Sequence, residues 1–189
     1  MALRHAVLAA LLEGELSGYQ LAKAFDAGVA NFWHARPQQL YAELKRLESQ
    51  GLVTGREIVQ HNRPNKRLFT VSPAGVEELR SFTRSASGPS AVRDDLLVKV
   101  QACDHVETGA LLEELGERAE LARTKVELFE SLLAAMRGER SEEEHLARAE
   151  RVGPYLTCLR GRAFEQGNQQ WCERVMGVLR ARQEGRGDG

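Results

Sequence analysis

The chain has 189 residues, room for one or two small domains, and its 26 Lys+Arg against 27 Asp+Glu leave a formal net charge of −1. That balance argues against a polyphosphate partner unless the charges are unevenly spread. With 42% hydrophobic and 28% charged residues the chain can bury a core, and no apolar run approaches the ~20 residues of a membrane span. Cys103, Cys158 and Cys172 are odd in number and lack C-x-x-C spacing. They argue against a disulfide framework or structural zinc site and for a reducing, cytoplasmic location. The first twelve residues lack a small-residue cleavage site and read as a helix, not a signal peptide.

Residues 2–13 predict that first helix, with Leu3, Val7, Leu8 and Leu11 on one face and Gly14 as its stop. Ser17 stands three residues before Gln20, a capping-box spacing, and opens a second helix with Tyr19, Ala22 and Phe25 on its inner side. Arg36-Pro37 opens a third, because proline at the first helical position lacks only an N–H that had no partner there. Leu40, Leu44 and Leu47 form its buried stripe, and Gly51 suits a left-handed stop. The period then changes: residues 52–60 and 66–72 read as two strands around the polar turn His61-Asn62-Arg63-Pro64-Asn65. Ser72-Pro73 caps a fourth helix bearing Val76, Leu79 and Phe82. Three helices, a hairpin and a helix, over residues 1–85, make a winged helix-turn-helix.

Residues 83–90 are a linker by composition, and residues 86–189 form a second, helical domain. A short helix covers 91–102. A long one covers 106–136, where Leu111, Leu115, Ala119, Ala122, Val126, Phe129, Leu133 and Met136 make a heptad-like seam. Ser141 and Glu144 form a capping box for a last helix over 142–182, which Gly153-Pro154 should kink or split. Its apolar side is Leu156, Leu159, Ala163, Gly167, Trp171, Val175 and Val178. One helical hairpin cannot cover both its apolar faces, so a homodimer packed arm on arm is the economical arrangement. The fold class is therefore mainly α with a small β-hairpin.

Counted by domain, the charge is uneven. Residues 1–85 carry a net +3 and residues 86–189 a net −4. Seven cations (Arg36, Lys45, Arg46, Arg56, Arg63, Lys66, Arg67) against three acids lie within 36–67, the third helix and the hairpin. A hairpin tip has no core role for Arg63, Lys66 and Arg67, and phosphates are their natural target. Opposite its leucines the third helix offers Gln38, Gln39, Tyr41, Ala42 and Lys45. Glutamine can read adenine through a paired hydrogen bond, and Tyr41 can reach a phosphate or sugar. The histidines His5, His34, His61, His105 and His145 have no metal spacing. No phosphate loop, nucleophile elbow or H-E-x-x-H is present, and no cofactor or enzyme activity is expected.

The ordered set Leu11-Leu12, Ser17-Gly18-Tyr19-Gln20-Leu21, Phe32-Trp33, Gln39-Leu40-Tyr41, Gly51-Leu52-Val53, Arg63-Pro64-Asn65-Lys66-Arg67 and Phe69-Thr70-Val71-Ser72-Pro73-Ala74-Gly75 resembles the PadR family of bacterial transcriptional regulators. Arg93-Asp94-Asp95-Leu96-Leu97-Val98-Lys99 is similar to the second signature of members with a long C-terminal helical domain. The resemblance implies a homodimeric repressor on a palindromic double-stranded operator. It implies DNA contacts by Tyr19 and Lys23 on the second helix, by Gln38, Gln39, Tyr41 and Lys45 on the third, and by Arg63, Asn65, Lys66 and Arg67 on the wing. It also implies a small aromatic effector, for which Trp33 and Trp171 are the candidate contacts, although both sit equally well in packing. Leu68-Phe69 departs mildly from the family's more aromatic wing strand. The rival reading is a protein-interaction module that uses the same winged domain and arm without DNA; a steep salt dependence of binding separates the two.

Overall fold

The computed structural model describes residues 3–27, 35–59, 65–88 and 93–187. They fall into two compact units, Met1–Pro89 and Ser90–Gly189. Trp33 and Arg63, and with them Phe32, His34 and His61, lie outside the described residues.

In the first unit α1 (Leu3–Leu11), α2 (Gly18–Ala27), α3 (Pro37–Ser49) and α4 (Pro73–Thr83) surround a three-stranded antiparallel sheet. Its strands are β1 (Leu16–Ser17), β2 (Val53–Ile58) and β3 (Lys66–Val71), in the order β1-β3-β2. The hairpin register runs from Val53 opposite Val71 to Ile58 opposite Lys66. A third strand was not expected; Leu16 pairs with Phe69 and Ser17 with Leu68, so the chain joins the sheet for two residues before it enters α2. The core is built from Val7, Leu8 and Leu11 of α1, Leu21 and Phe25 of α2, Leu40, Leu44 and Leu47 of α3, and Val53 and Phe69 of the sheet. Each fully buried leucine contributes roughly 1.5–3 kcal/mol. The three leucines of α3 thereby fix which face of that helix turns outward. Tyr19 corrects the expectation of an inner face: it is 70% exposed, and Leu21 takes the buried position.

Both expected caps of this unit form. Ser17 Oγ accepts from the Gln20 N–H at 3.2 Å while Gln20 Oε1 accepts from the Ser17 N–H at 3.0 Å. Ser72 Oγ accepts from the Gly75 N–H and donates to the Gly51 carbonyl. Gly51 follows α3 at φ +70°, the left-handed stop. Phe82 of α4 stacks on the His5 ring of α1 at 3.9 Å.

The second unit is helical: α5 (Asp95–Gln101), α6 (Gly109–Arg137), α7 (Glu142–Arg148) and α8 (Gly153–Gly187). Asp94 caps α5 by accepting from the Leu96 N–H and takes a two-oxygen contact from Arg118 Nη2 at 3.0 and 3.1 Å, which fastens α5 to α6. Gln183 donates to Thr108, Lys125 to Glu165 and the Cys158 thiol to the Phe129 carbonyl, so α6 and α8 run antiparallel. Gly153-Pro154 does split the last helix. The capping box of Ser141 and Glu144 starts α7, and α8 begins afresh at Gly153. The seam of α6 packs as the spacing predicts at Leu111, Leu115, Ala119, Ala122, Phe129 and Leu133, whereas Met136 stays exposed.

The inner face of α8 is rotated from the predicted one. Tyr155, Cys158, Glu165, Cys172 and Leu179 are buried, while Leu156, Ala163, Gly167 and Val178 of the expected stripe are exposed. The buried residues form two apolar blocks. Between them in sequence, the buried Glu165 takes hydrogen bonds from Lys125 at 2.8 Å and Asn168 at 3.0 Å. Among the described residues no helix is long and apolar enough to cross a membrane.

Candidate nucleic-acid interface

The outward face of α3 follows from its start. Arg36 is extended, Pro37 takes the first helical position, and Gln39 Oε1 accepts from the Arg36 N–H at 2.8 Å. Gln39 is therefore a capping residue, and its amide oxygen is engaged by the helix that carries it. Gln38, Tyr41, Ala42 and Lys45 are exposed opposite the buried leucines. Among the described residues Gln38 and Lys45 have no hydrogen-bond or ionic partner. Helix α2 adds Tyr19 and Lys23, exposed and four residues apart on one face. Gly18 couples the two helices: a Cβ there would strike the Tyr41 ring, so the ring lies against bare backbone at the first turn of α2.

The wing brings a different population of cations. Lys66 is exposed and unpaired among the described residues. Asn65 donates to Glu57 across the hairpin at 3.1 Å. Arg67 is held by Glu48 of α3 at 2.6 Å, and Arg56 by Glu15, ahead of β1, at 2.7 Å. Arg46 approaches Glu43 at 3.9 Å. The seven-cation count thus overstates the free positive charge, which among the described residues of this face rests on Lys23, Arg36, Lys45 and Lys66. Sequence spacing gave no sign of Glu15 and Glu48, because their partners stand 41 and 19 residues away.

In the second unit Trp171 is half-buried against the block containing Leu96, Leu111, Leu115 and Cys172. Burial pushes the Cys158 and Cys172 thiols up, partly offset by Arg162 and Arg118 respectively. No cluster of three or more His, Cys, Asp or Glu suited to a metal is found among the described residues.

The sequence profile of the transcriptional regulator PadR-like family matches residues 7–81, and that of the virulence activator alpha C-terminal domain matches residues 92–180. Residues 7–81 are a PadR-like family domain. The chain is 26% identical over 185 residues to the negative transcriptional regulator PadR of Bacillus subtilis, covering 94% of this chain and 97% of that one. It is 35% identical over 121 residues to a probable transcriptional regulator of Mycobacterium tuberculosis, covering 59% and 64%. Among solved structures, the Vibrio cholerae virulence activator AphA shares 26% identity at TM-score 0.67, over 94% of this chain and 98% of that one. Bacillus subtilis PadR in complex with operator DNA shares the fold at TM-score 0.74 and 23% identity, over 95% and 99%. The same protein with p-coumaric acid does so at 0.67 and 22%, over 95% and 99%. The homologues are regulators and the family is not enzymatic.

Proposed function

We propose that this PadR-like regulator is a homodimeric repressor that binds a palindromic double-stranded operator and is released by a small aromatic effector. The observation that carries DNA recognition is the outward face of α3. Gln38, Tyr41 and Lys45 stand exposed on a helix whose opposite side is locked into the core, flanked by Tyr19, Lys23 and Lys66. A helix so placed enters the major groove with its first residues deepest, Gln38 reads a base edge, and the lysines meet phosphates. Asn65 and Arg63 complete the wing contact. Dimerisation is supported by the apolar side chains left outside on the arm: Leu121 and Leu128 on α6, with Leu156, Phe164 and Val178 on α8. Two symmetric half-sites then call for a palindrome. The effector follows from the relative that binds p-coumaric acid, with Trp171 as the described aromatic candidate here and Trp33 as the other.

The test is a mobility shift with the DNA upstream of the protein's own gene, with and without competitor. Affinity should fall steeply between ~50 and ~200 mM salt. Lys66→Ala should lower the slope of log K against log salt by about 1, and Gln38→Ala should relax sequence preference at one position. Binding that ignores salt would favour a protein partner and overturn the reading. Titrating phenolic acids into the complex tests release; no release with any of them would remove the effector.

A further inference from the structure

We propose that Glu48 is a positioning residue for DNA recognition, holding the wing at a fixed angle to α3 so that both meet one duplex together. This rests on the DNA-binding reading above. Glu48 lies in the last turn of α3 with its side chain three-quarters buried. Its Oε1 accepts from Arg67 Nη2 at 2.6 Å and from the Gly55 N–H at 3.0 Å. Arg67 belongs to β3 and Gly55 to β2, so one carboxylate oxygen ties the recognition helix to both long strands. The Arg67 guanidinium also sits 5.8 Å from the centre of the Phe69 ring, and Phe69 is the ladder partner of Gly55. The joint has no slack: a Cβ on Gly55 would fall on Glu48 Oε1 and Arg67 Nε. A glycine inside a strand weakens it and marks a close approach; here what approaches is the Glu48–Arg67 pair. An acid beside a phosphate-facing surface is itself adverse, which makes its place on α3 informative. Arg67 on this account is a strut, not a phosphate contact.

The two possible roles of Glu48 give opposite signs. As a mere local charge, its removal lifts a repulsion and frees Arg67 for phosphate, so binding tightens. As a positioning residue, its removal weakens binding. The experiment uses the full chain and a duplex that the wild type selects from a random-sequence library, read by fluorescence anisotropy across ~50–200 mM salt. Glu48→Ala should weaken binding roughly three- to tenfold without lowering the salt slope, and Glu48→Gln, which keeps the acceptor, should retain most of the affinity. Arg67→Ala should lose a similar factor, and the double variant no more than either single one. Gly55→Ala keeps both side chains but displaces them; it should weaken binding alike, and it carries the test if Glu48→Ala does not fold. Binding by a folded Glu48→Ala as tight as wild type or tighter overturns the proposal, as do losses that multiply in the double variant. If the wild type selects no duplex at all, the DNA-binding reading itself fails, a result distinct from an unaffected variant.

Discussion

Single side chains on the candidate surface divide by what already holds them. Gly18 leaves the space that the Tyr41 ring fills. Because Tyr41 is 48% exposed, it can swing away from an added methyl. Gly18→Ala should therefore cost only about 1 kcal/mol in a thermal melt, the low end of overpacking. DNA affinity should fall more than stability, since the displaced ring belongs to the face proposed to meet DNA. Equal binding by a variant that melts lower would show that Tyr41 makes no contact. The cysteines give a second residue-scale check. Thiolate is the reactive form, and burial holds Cys158 and Cys172 in the thiol form. Cys103 is half-exposed. Iodoacetamide near pH 8 should label Cys103 first, with Cys158 and Cys172 labelled only on unfolding, as peptide mass spectrometry would record. Residue types and spacing made the outward placement of Gln38 and Lys45 legible. They could not tell Gln39 or Arg67 from their neighbours, because what distinguishes those two is a partner, the Arg36 N–H or the Glu48 carboxylate.

At the scale of elements, periodicity served best where a helix has one apolar face. The leucine stripe of α3 was readable because nothing else on that helix competes for burial. Leu44→Ala should cost about 2–5 kcal/mol and abolish DNA binding near the melting temperature of the variant. Helix α8 misled because it is apolar on two sides. Leu156, Phe164 and Val178 lie outside, whereas the inner face mixes Tyr155 and Leu179 with Cys158, Glu165 and Cys172. Glu165 can sit there only because Lys125 and Asn168 satisfy it. A buried ion pair adds little net stability but penalises loss of one partner. Glu165→Leu should melt at or above the wild-type temperature and Glu165→Ala below it; the reverse order in calorimetry would contradict the pairing. Strand β1 was invisible because two residues carry no period.

For the whole molecule, the near-zero net charge sums a basic N-terminal part and an acidic arm. Only the free fraction of the basic part counts toward phosphate, which is why the salt slope measures the surface better than composition does. In the proposed dimer, the outer apolar side chains of the arm carry the contact between copies. Leu128→Glu or Phe164→Glu places a charge where a second copy would pack, and either should shift sedimentation toward the monomer. Affinity for paired half-sites should then drop far more than affinity for a single half-site, because the second contact loses its high effective concentration. Unchanged sedimentation would place the dimer contact elsewhere on the arm.

The sheet has a vulnerability of its own. β3 is central, yet β1 covers it only at Leu68 and Phe69, and the far side of β2 has no neighbouring strand among the described residues, with Glu48 of α3 taking the Gly55 N–H. Outside these contacts, backbone donors and acceptors of both strands are open to strand addition from another molecule. Arg56, Glu57, Lys66 and Arg67 stand along these open stretches. Whatever they do for DNA, their charges also act as gatekeepers against fibrous self-association. Engineering the wing toward greater hydrophobicity would therefore trade solubility away before it altered recognition.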